Sequence, residues 1–208
     1  MQAAVMALGA LAEAIGWRLV ATRRAMVWRL MPAIFLVMGI AAVVVRRPVA
    51  ATRVGDGAAL VIGVASGLVL YIGTRVFVAI AGGWELFRRH VMEKYLEAAE
   101  VPLKEALALS LLIMVPAEEL FWRGLFQARL DQSLPALAAA AWTWLAYVGV
   151  NLSSGSLPII AGAVVGGALW AGLAMWSGGM LASISSHMLW TGLMLALPPG
   201  AGRGGRAE

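Results

Sequence analysis

Long apolar runs, all but one of them nearly free of charge, alternate along this chain with short clusters of arginine. Six runs stand out, at about 30–45, 57–74, 103–130, 135–152, 157–176 and 180–197. Each approaches the length a helix needs to cross a bilayer. The shortest has sixteen residues. At a rise of ~1.5 Å each they span ~24 Å, enough if the flanking Arg29, Arg46 and Arg47 snorkel toward the headgroups. Two stretches break this rhythm. In 84–101, Trp84, Phe87, Val91, Tyr95 and Ala98 step by three and four, while Arg88, Arg89, Glu93, Lys94 and Glu97 take the other faces. That spacing predicts an amphipathic helix on the membrane surface, ended by Pro102, with His90 solvated or facing headgroups. In 1–22, Leu8, Leu11, Ile15 and Leu19 recur at helical spacing around Glu13 and Arg18. No basic region precedes the apolar part, which argues against a signal peptide. The stretch reads as an interfacial helix, with a short extra span as the alternative.

The predicted fold class is therefore all-α, a polytopic transmembrane helical bundle of about six spans with amphipathic interfacial helices. Residues 1–24 form an amphipathic segment, 25–197 the transmembrane domain and 198–208 a flexible tail. Arg53 to Gly57 reads as a turn, and Arg75 as a snorkelling residue near the end of the second span. Ser133 reads as a helix cap. Small residues of the fifth span, Gly162 with Gly166 and Ala163 with Gly167, are spaced for close helix approach.

Composition narrows the class further. The chain has 208 residues, 62% hydrophobic and only 13% charged. A soluble core of that size cannot hide so much apolar surface. The net charge of +5 raises the question of nucleic acid. The basic residues lie in the gaps between apolar runs, where they anchor helices and set topology, so the partner read here is the lipid bilayer and not nucleic acid. One side gathers Arg18, Arg23, Arg24, Arg29, Arg88, Arg89, Lys94, Lys104, Arg203 and Arg206, against Arg46, Arg47, Arg53 and Arg129 on the other. The imbalance predicts an integral protein of the cell's inner or plasma membrane with both termini cytoplasmic; a true span in 1–22 would move only the N-terminus. There is no cysteine, which excludes disulfides, thiolate metal sites and a cysteine nucleophile.

Candidate chemistry is confined to a few positions. Pro116–Gly124 reads Pro-Ala-Glu-Glu-Leu-Phe-Trp-Arg-Gly and puts Glu118, Glu119 and Arg123 after twelve uncharged residues. Charges at membrane depth are costly and persist where they do chemistry or hold a partner. Glu119 and Arg123, four apart, share a helix face and can pair; Glu118 points elsewhere and stays free. His187 is the one imidazole within the apolar runs. By helical rise, Glu118 lies ~18 Å from one surface and His187 ~10 Å from the other, so both can share a level and hold a water. Asn151 falls nearer the surface, which implies a displaced helix or a cavity open to that side.

Glu118-Glu119-x-x-x-Arg123 in this context resembles the first motif of the CAAX-protease and bacteriocin-processing (CPBP) intramembrane proteases, which include the CAAX prenyl endoproteases. The resemblance covers roughly 103–197. It implies an intramembrane endopeptidase acting on a peptide or protein in or at the membrane, a prenylated CAAX tail among the options. It implies Glu118 as the base that activates water, Glu119 and Arg123 as a structural pair, and His187 as an oxyanion stabiliser. The family's second motif aligns as Tyr147-Val-Gly-Val-Asn151, with Asn in place of His; its third reads His187-Met-Leu-Trp-Thr191, with Thr in place of Asn. Thr191 can still donate to an oxyanion, whereas Asn151 cannot carry a proton. Zinc is the cofactor the resemblance implies, but Glu118, His187 and Asn151 are too few and too poor as ligands, so no metal is assigned.

Two other readings stay open. The Asn at position 151 fits a catalytically degenerate member that serves as a membrane scaffold or immunity-type binding protein. Glu118 and His187 would then be interhelical hydrogen-bonding residues, His187 with Ser183 or a neighbouring helix. A transporter using Glu118 as an ion site is disfavoured, because the sequence shows neither inverted repeats nor broken helices.

Overall fold

A computed structural model of the chain describes residues 1–199. Most of the tail predicted at 198–208 lies outside the described residues. All regular structure among the described residues is helical. The elements are α1 (Gln2–Ala21), α2 (Val27–Val45), α3 (Asp56–Ala81), α4 (Glu85–Ala98), α5 (103–130), α6 (Ala136–Asn151), α7 (Leu157–Ser177) and α8 (Leu181–Ala196). Five helical stretches, α1, α2, α3, α6 with its short extension, and α7, are long and apolar enough to cross a membrane. The chain is thus a polytopic all-α bundle.

Residues 1–22 depart from the interfacial reading. α1 runs antiparallel to α2, and Gln2 Nε2 donates to the Val45 carbonyl at 3.0 Å. It buries Met6, Gly9, Glu13, Gly16 and Val20 along one face. At Gly9 an added Cβ would strike the Phe121 ring, so the glycine is what lets α1 touch α5. A single stripe of small residues and one carboxylate, not a polar headgroup-facing surface, sets where this helix goes. The consequence reaches the termini. Gln2 lies at the Val45 end of the bundle, whereas Pro199 meets the Tyr95 hydroxyl at the α4 end. The described ends are on opposite sides, contrary to the six-span expectation.

Three smaller expectations also change. α3 continues to Ala81, so Arg75 sits well inside it and donates to the Tyr71 hydroxyl at 3.3 Å. Ser133 does not cap α6, which starts after Pro135 without a side-chain cap; its hydroxyl accepts from Arg129 at 3.1 Å. The small residues of α7 make room for aromatic rings instead of a bare backbone crossing. An added Cβ at Gly167 would meet the Tyr147 ring, and one at Gly162 the Trp190 ring. The tight backbone crossing lies between α3 and α8, where a Cβ at Gly67 would sit 2.6 Å from the Ser186 carbonyl oxygen.

α4 lies across the end of the bundle. It buries Phe87 edge-on to Phe77 and is tied down at several points. The Trp28 indole donates to the Glu97 carbonyl at 2.7 Å. His90 is not merely solvated: its Nδ1 accepts the Leu157 backbone N–H at 3.2 Å, capping one of the free amides that begin α7.

α5 is one continuous helical run with two wide turns, at Ser110–Met114 and Leu120–Gln127. Pro116 accounts for the first. It has no N–H, and its ring would strike the carbonyl four residues back in a regular helix. Widening relieves that clash, and the Val115 N–H accordingly bonds five residues back, to Ser110. The two wide turns bracket Val115–Glu119, the short regular segment that carries both glutamates.

Candidate active site

The glutamates of α5 take different surroundings, as their spacing predicts. Glu119 is fully buried, and its Oε1 accepts from Arg123 NH1 at 3.0 Å. Arg123 is itself held on three sides: NH2 donates to the Gly167 carbonyl at 3.2 Å, and the guanidinium lies 5.0 Å from the Tyr147 ring centre and 5.7 Å from that of Trp170. Planar, forked and aromatic-stacked, this is a site for arginine that lysine does not reproduce.

The same Glu119 Oε1 takes a second partner, His187 Nδ1 of α8, at 2.9 Å. His187 thus bonds to Glu119, and not to Ser183, whose hydroxyl donates to the Met180 carbonyl at 3.0 Å. The Trp170 ring stacks on the imidazole, 3.6 Å between centres and 17° from parallel. Carboxylate behind and indole alongside fix the ring's orientation. With Nδ1–H given to Glu119, Nε2 is the nitrogen left for anything else.

Glu118 is buried but accepts no hydrogen bond of good geometry; the Tyr147 hydroxyl lies beside its carboxylate. It forms part of the wall of a cavity of about 920 Å³. His187, Asn151 and Thr191 line the same cavity. The structure therefore brings together all four residues picked from the sequence as candidates for the chemistry. Asn151, the last residue of α6, turns its Nδ2 back to the Tyr147 carbonyl at 2.9 Å. The Thr191 hydroxyl is buried without a partner among the described residues. The cavity continues past Asn151 to Phe87 and Tyr95 of α4, so the space extends to the end that α4 covers. The rest of the wall is mainly apolar, from α3, α7 and α8.

Reasoning from the sequence overlooked Glu13. This carboxylate of α1 is fully buried, and its Oε2 accepts the Trp122 indole N–H at 2.9 Å. The available signal was that Glu13 is the sole acidic residue before Asp56 and sits in the middle of an apolar helix.

Glu118, Asn151, His187 and Thr191, though not the whole wall of the cavity, fall in a stretch of chain that a known family matches. Residues 102–193 match the family described as Type II CAAX prenyl endopeptidase Rce1-like. No curated protein and no solved structure matches the chain. The match falls almost where the Glu-Glu-xxx-Arg resemblance was read, and it bears that resemblance out. The match covers a little under half of the chain, and it is that stretch which is similar to a family of proteases. Helices α1 to α4, with Glu13, lie outside the matched stretch.

Zinc was tested on the donor set. Among the described residues no three of His, Asp or Glu converge on one point as a metal site would require. The donors that remain are the Glu118 carboxylate and His187 Nε2, and the amide oxygen of Asn151 is a poor zinc ligand, so the set falls short of the three a catalytic zinc takes. These residues do not fit a metal.

Proposed function

We propose that the cavity is the site of an intramembrane endopeptidase in which Glu118 activates water against a peptide carbonyl. The observation that carries this is the contrast between the two neighbouring glutamates: Glu119 is bonded twice, while Glu118 stands free on the wall of the cavity. A general base needs an available carboxylate within reach of a water. Glu118 takes the water proton, hydroxide oxygen attacks the carbonyl carbon, and the same carboxyl returns the proton to the departing amine nitrogen. One group serving in both directions removes the need for a proton carrier at 151. In its doubly protonated form, the second proton drawn from solvent before the reaction and kept throughout it, His187 donates Nε2–H to the carbonyl oxygen as that oxygen gains negative charge, with Glu119 behind the ring. The unpartnered Thr191 hydroxyl is a second donor. Asn151 orients water or substrate and carries no proton.

The substrate is a peptide segment presented from the bilayer or from the end covered by α4. A cavity of about 920 Å³ with mainly apolar walls has room for several side chains or for a lipid chain attached to a peptide, such as a prenylated CAAX-type tail. The arginine-rich end, which includes α4, is assigned to the cytoplasm.

Reconstituted protein with a panel of membrane and lipidated peptides tests the reading. Glu118→Gln should lower kcat by at least ~100-fold, the lower range for losing a general base. His187→Ala should do the same with little change in KM. Cleavage that persists in Glu118→Gln would overturn the mechanism. Asn151→His, which places an imidazole on the cavity wall, should raise kcat. In a well-folded variant, no gain there and no cleavage by wild type would favour the second reading, a degenerate binding protein, which the Asn at position 151 itself supports.

A further inference from the structure

The mechanism above leaves one buried acid unused. Glu13 is fully buried in α1, outside the family match, with one oxygen on the Trp122 indole at 2.9 Å. Its other oxygen makes no hydrogen bond of good geometry among the described residues, although the indole of Trp17, one turn along, lies beside the carboxylate. A carboxylate this poorly solvated is costly at membrane depth. What it holds explains its position. Trp122 directly precedes Arg123 and is fully buried. It stands edge-on to the Tyr147 ring, 5.5 Å between centres at 75°. The Tyr147 hydroxyl in turn lies beside Glu118, and Arg123 sits over the face of the same ring. A path of direct contacts therefore runs from α1 through Trp122 and Tyr147 to the free carboxylate.

We propose that Glu13 is a positioning residue of the site: it anchors the Trp122 indole, which fixes the Tyr147 ring and through its hydroxyl the direction of Glu118. α1 is then a working part of the centre and not only a packing helix. The proposal rests on the reading of the cavity as a peptidase site. Its physical content is one hydrogen bond. Any side chain placing an acceptor oxygen there serves, whatever its charge. Glu13→Gln retains such an oxygen; Glu13→Ala removes it and leaves a buried indole N–H unpaired.

The test uses the full chain in lipid nanodiscs, with wild type, Glu13→Ala, Glu13→Gln, Trp122→Phe and the Glu13→Ala/Trp122→Phe double variant. Two quantities are read: steady-state cleavage, and the rate at which a hydrophobic carbodiimide modifies Glu118, located by peptide mass spectrometry. Glu13→Ala should lower kcat about tenfold at unchanged KM. Glu13→Gln should recover most of it, Trp122→Phe should match the Ala variant, and the double variant should be no worse than either single one. The Glu118 modification rate should change in the same variants and return with Gln. Unchanged kcat in Glu13→Ala, failure of Gln to rescue, or additive effects in the double variant overturn the proposal. If Glu13→Ala does not fold, Trp122→Phe decides alone, an unaltered kcat overturning it. If wild type cleaves nothing, the peptidase reading fails separately, and the carbodiimide rates still decide the contact: a Glu118 rate indifferent to Glu13 and Trp122 ends it.

Discussion

Glu118 and Glu119 are adjacent in sequence and opposite in circumstance. Glu119 is fully buried with one oxygen shared by a guanidinium and an imidazole, which offsets much of its lost hydration although the other oxygen has no partner among the described residues. Removing the guanidinium would leave an uncompensated buried carboxylate, which costs about 3–5 kcal/mol. Arg123→Leu is therefore expected to lower the unfolding free energy by that amount in chemical denaturation in detergent. Arg123→Lys should recover only part, because lysine cannot both pair with Glu119 and reach the Gly167 carbonyl. Glu118→Gln should leave stability almost unchanged, since no good hydrogen bond is lost. Stability loss falling on Glu118 and sparing Arg123 would reverse the roles assigned to the pair. At this scale the i,i+4 spacing already told which acid is paired. It did not tell that His187 shares the pair, because that bond joins helices 68 residues apart in the chain.

Single helices carry their own constraint, which is how closely they must approach. α3 and α8 cross where Gly67 meets the Ser186 carbonyl, one residue before His187. Gly67→Val should push α8 away, at a cost of about 1–3 kcal/mol for overpacking. Its effect on kcat should exceed that of the same change at Gly172, which lies off the cavity wall and where an added Cβ meets nothing within 4 Å. Thermal unfolding and kinetics on both variants check this, and equal losses at the two glycines would remove the crossing as the cause. The sequence pointed to small-residue pairs in the fifth span, yet those glycines receive rings of Tyr147 and Trp190. Spacing marks where helices can come close. It does not say whether backbone or an aromatic side chain fills the gap.

For the whole molecule the question is sidedness. α1 crosses beside α2, so Gln2 and Val45 share one end while α4 and Pro199 share the other. The chain has no cysteine of its own, so single introduced cysteines report accessibility without background. In right-side-out vesicles, an impermeant maleimide should label Gln2→Cys and Arg53→Cys from outside, and Glu100→Cys only after permeabilisation. Labelling of positions 2 and 100 from the same side would restore the interfacial reading of 1–22. The arginine imbalance predicts which end faces the cytoplasm, and the packing of α1 decides on which side the chain begins.

The sequence by itself determined the class of molecule: apolar runs of bilayer length force helices, because the backbone has no other way to satisfy its polar groups in lipid. It also determined the partition of the two glutamates, since four-residue spacing is a property of any helix. Tertiary structure alone decided that Glu13 reaches Trp122, that Glu119 serves Arg123 and His187 together, and that Asn151 and Thr191 share a cavity with Glu118. Each of these depends on which faces of separate helices meet, and that is set by the summed packing of small residues and rings from distant parts of the chain, a quantity no local window contains.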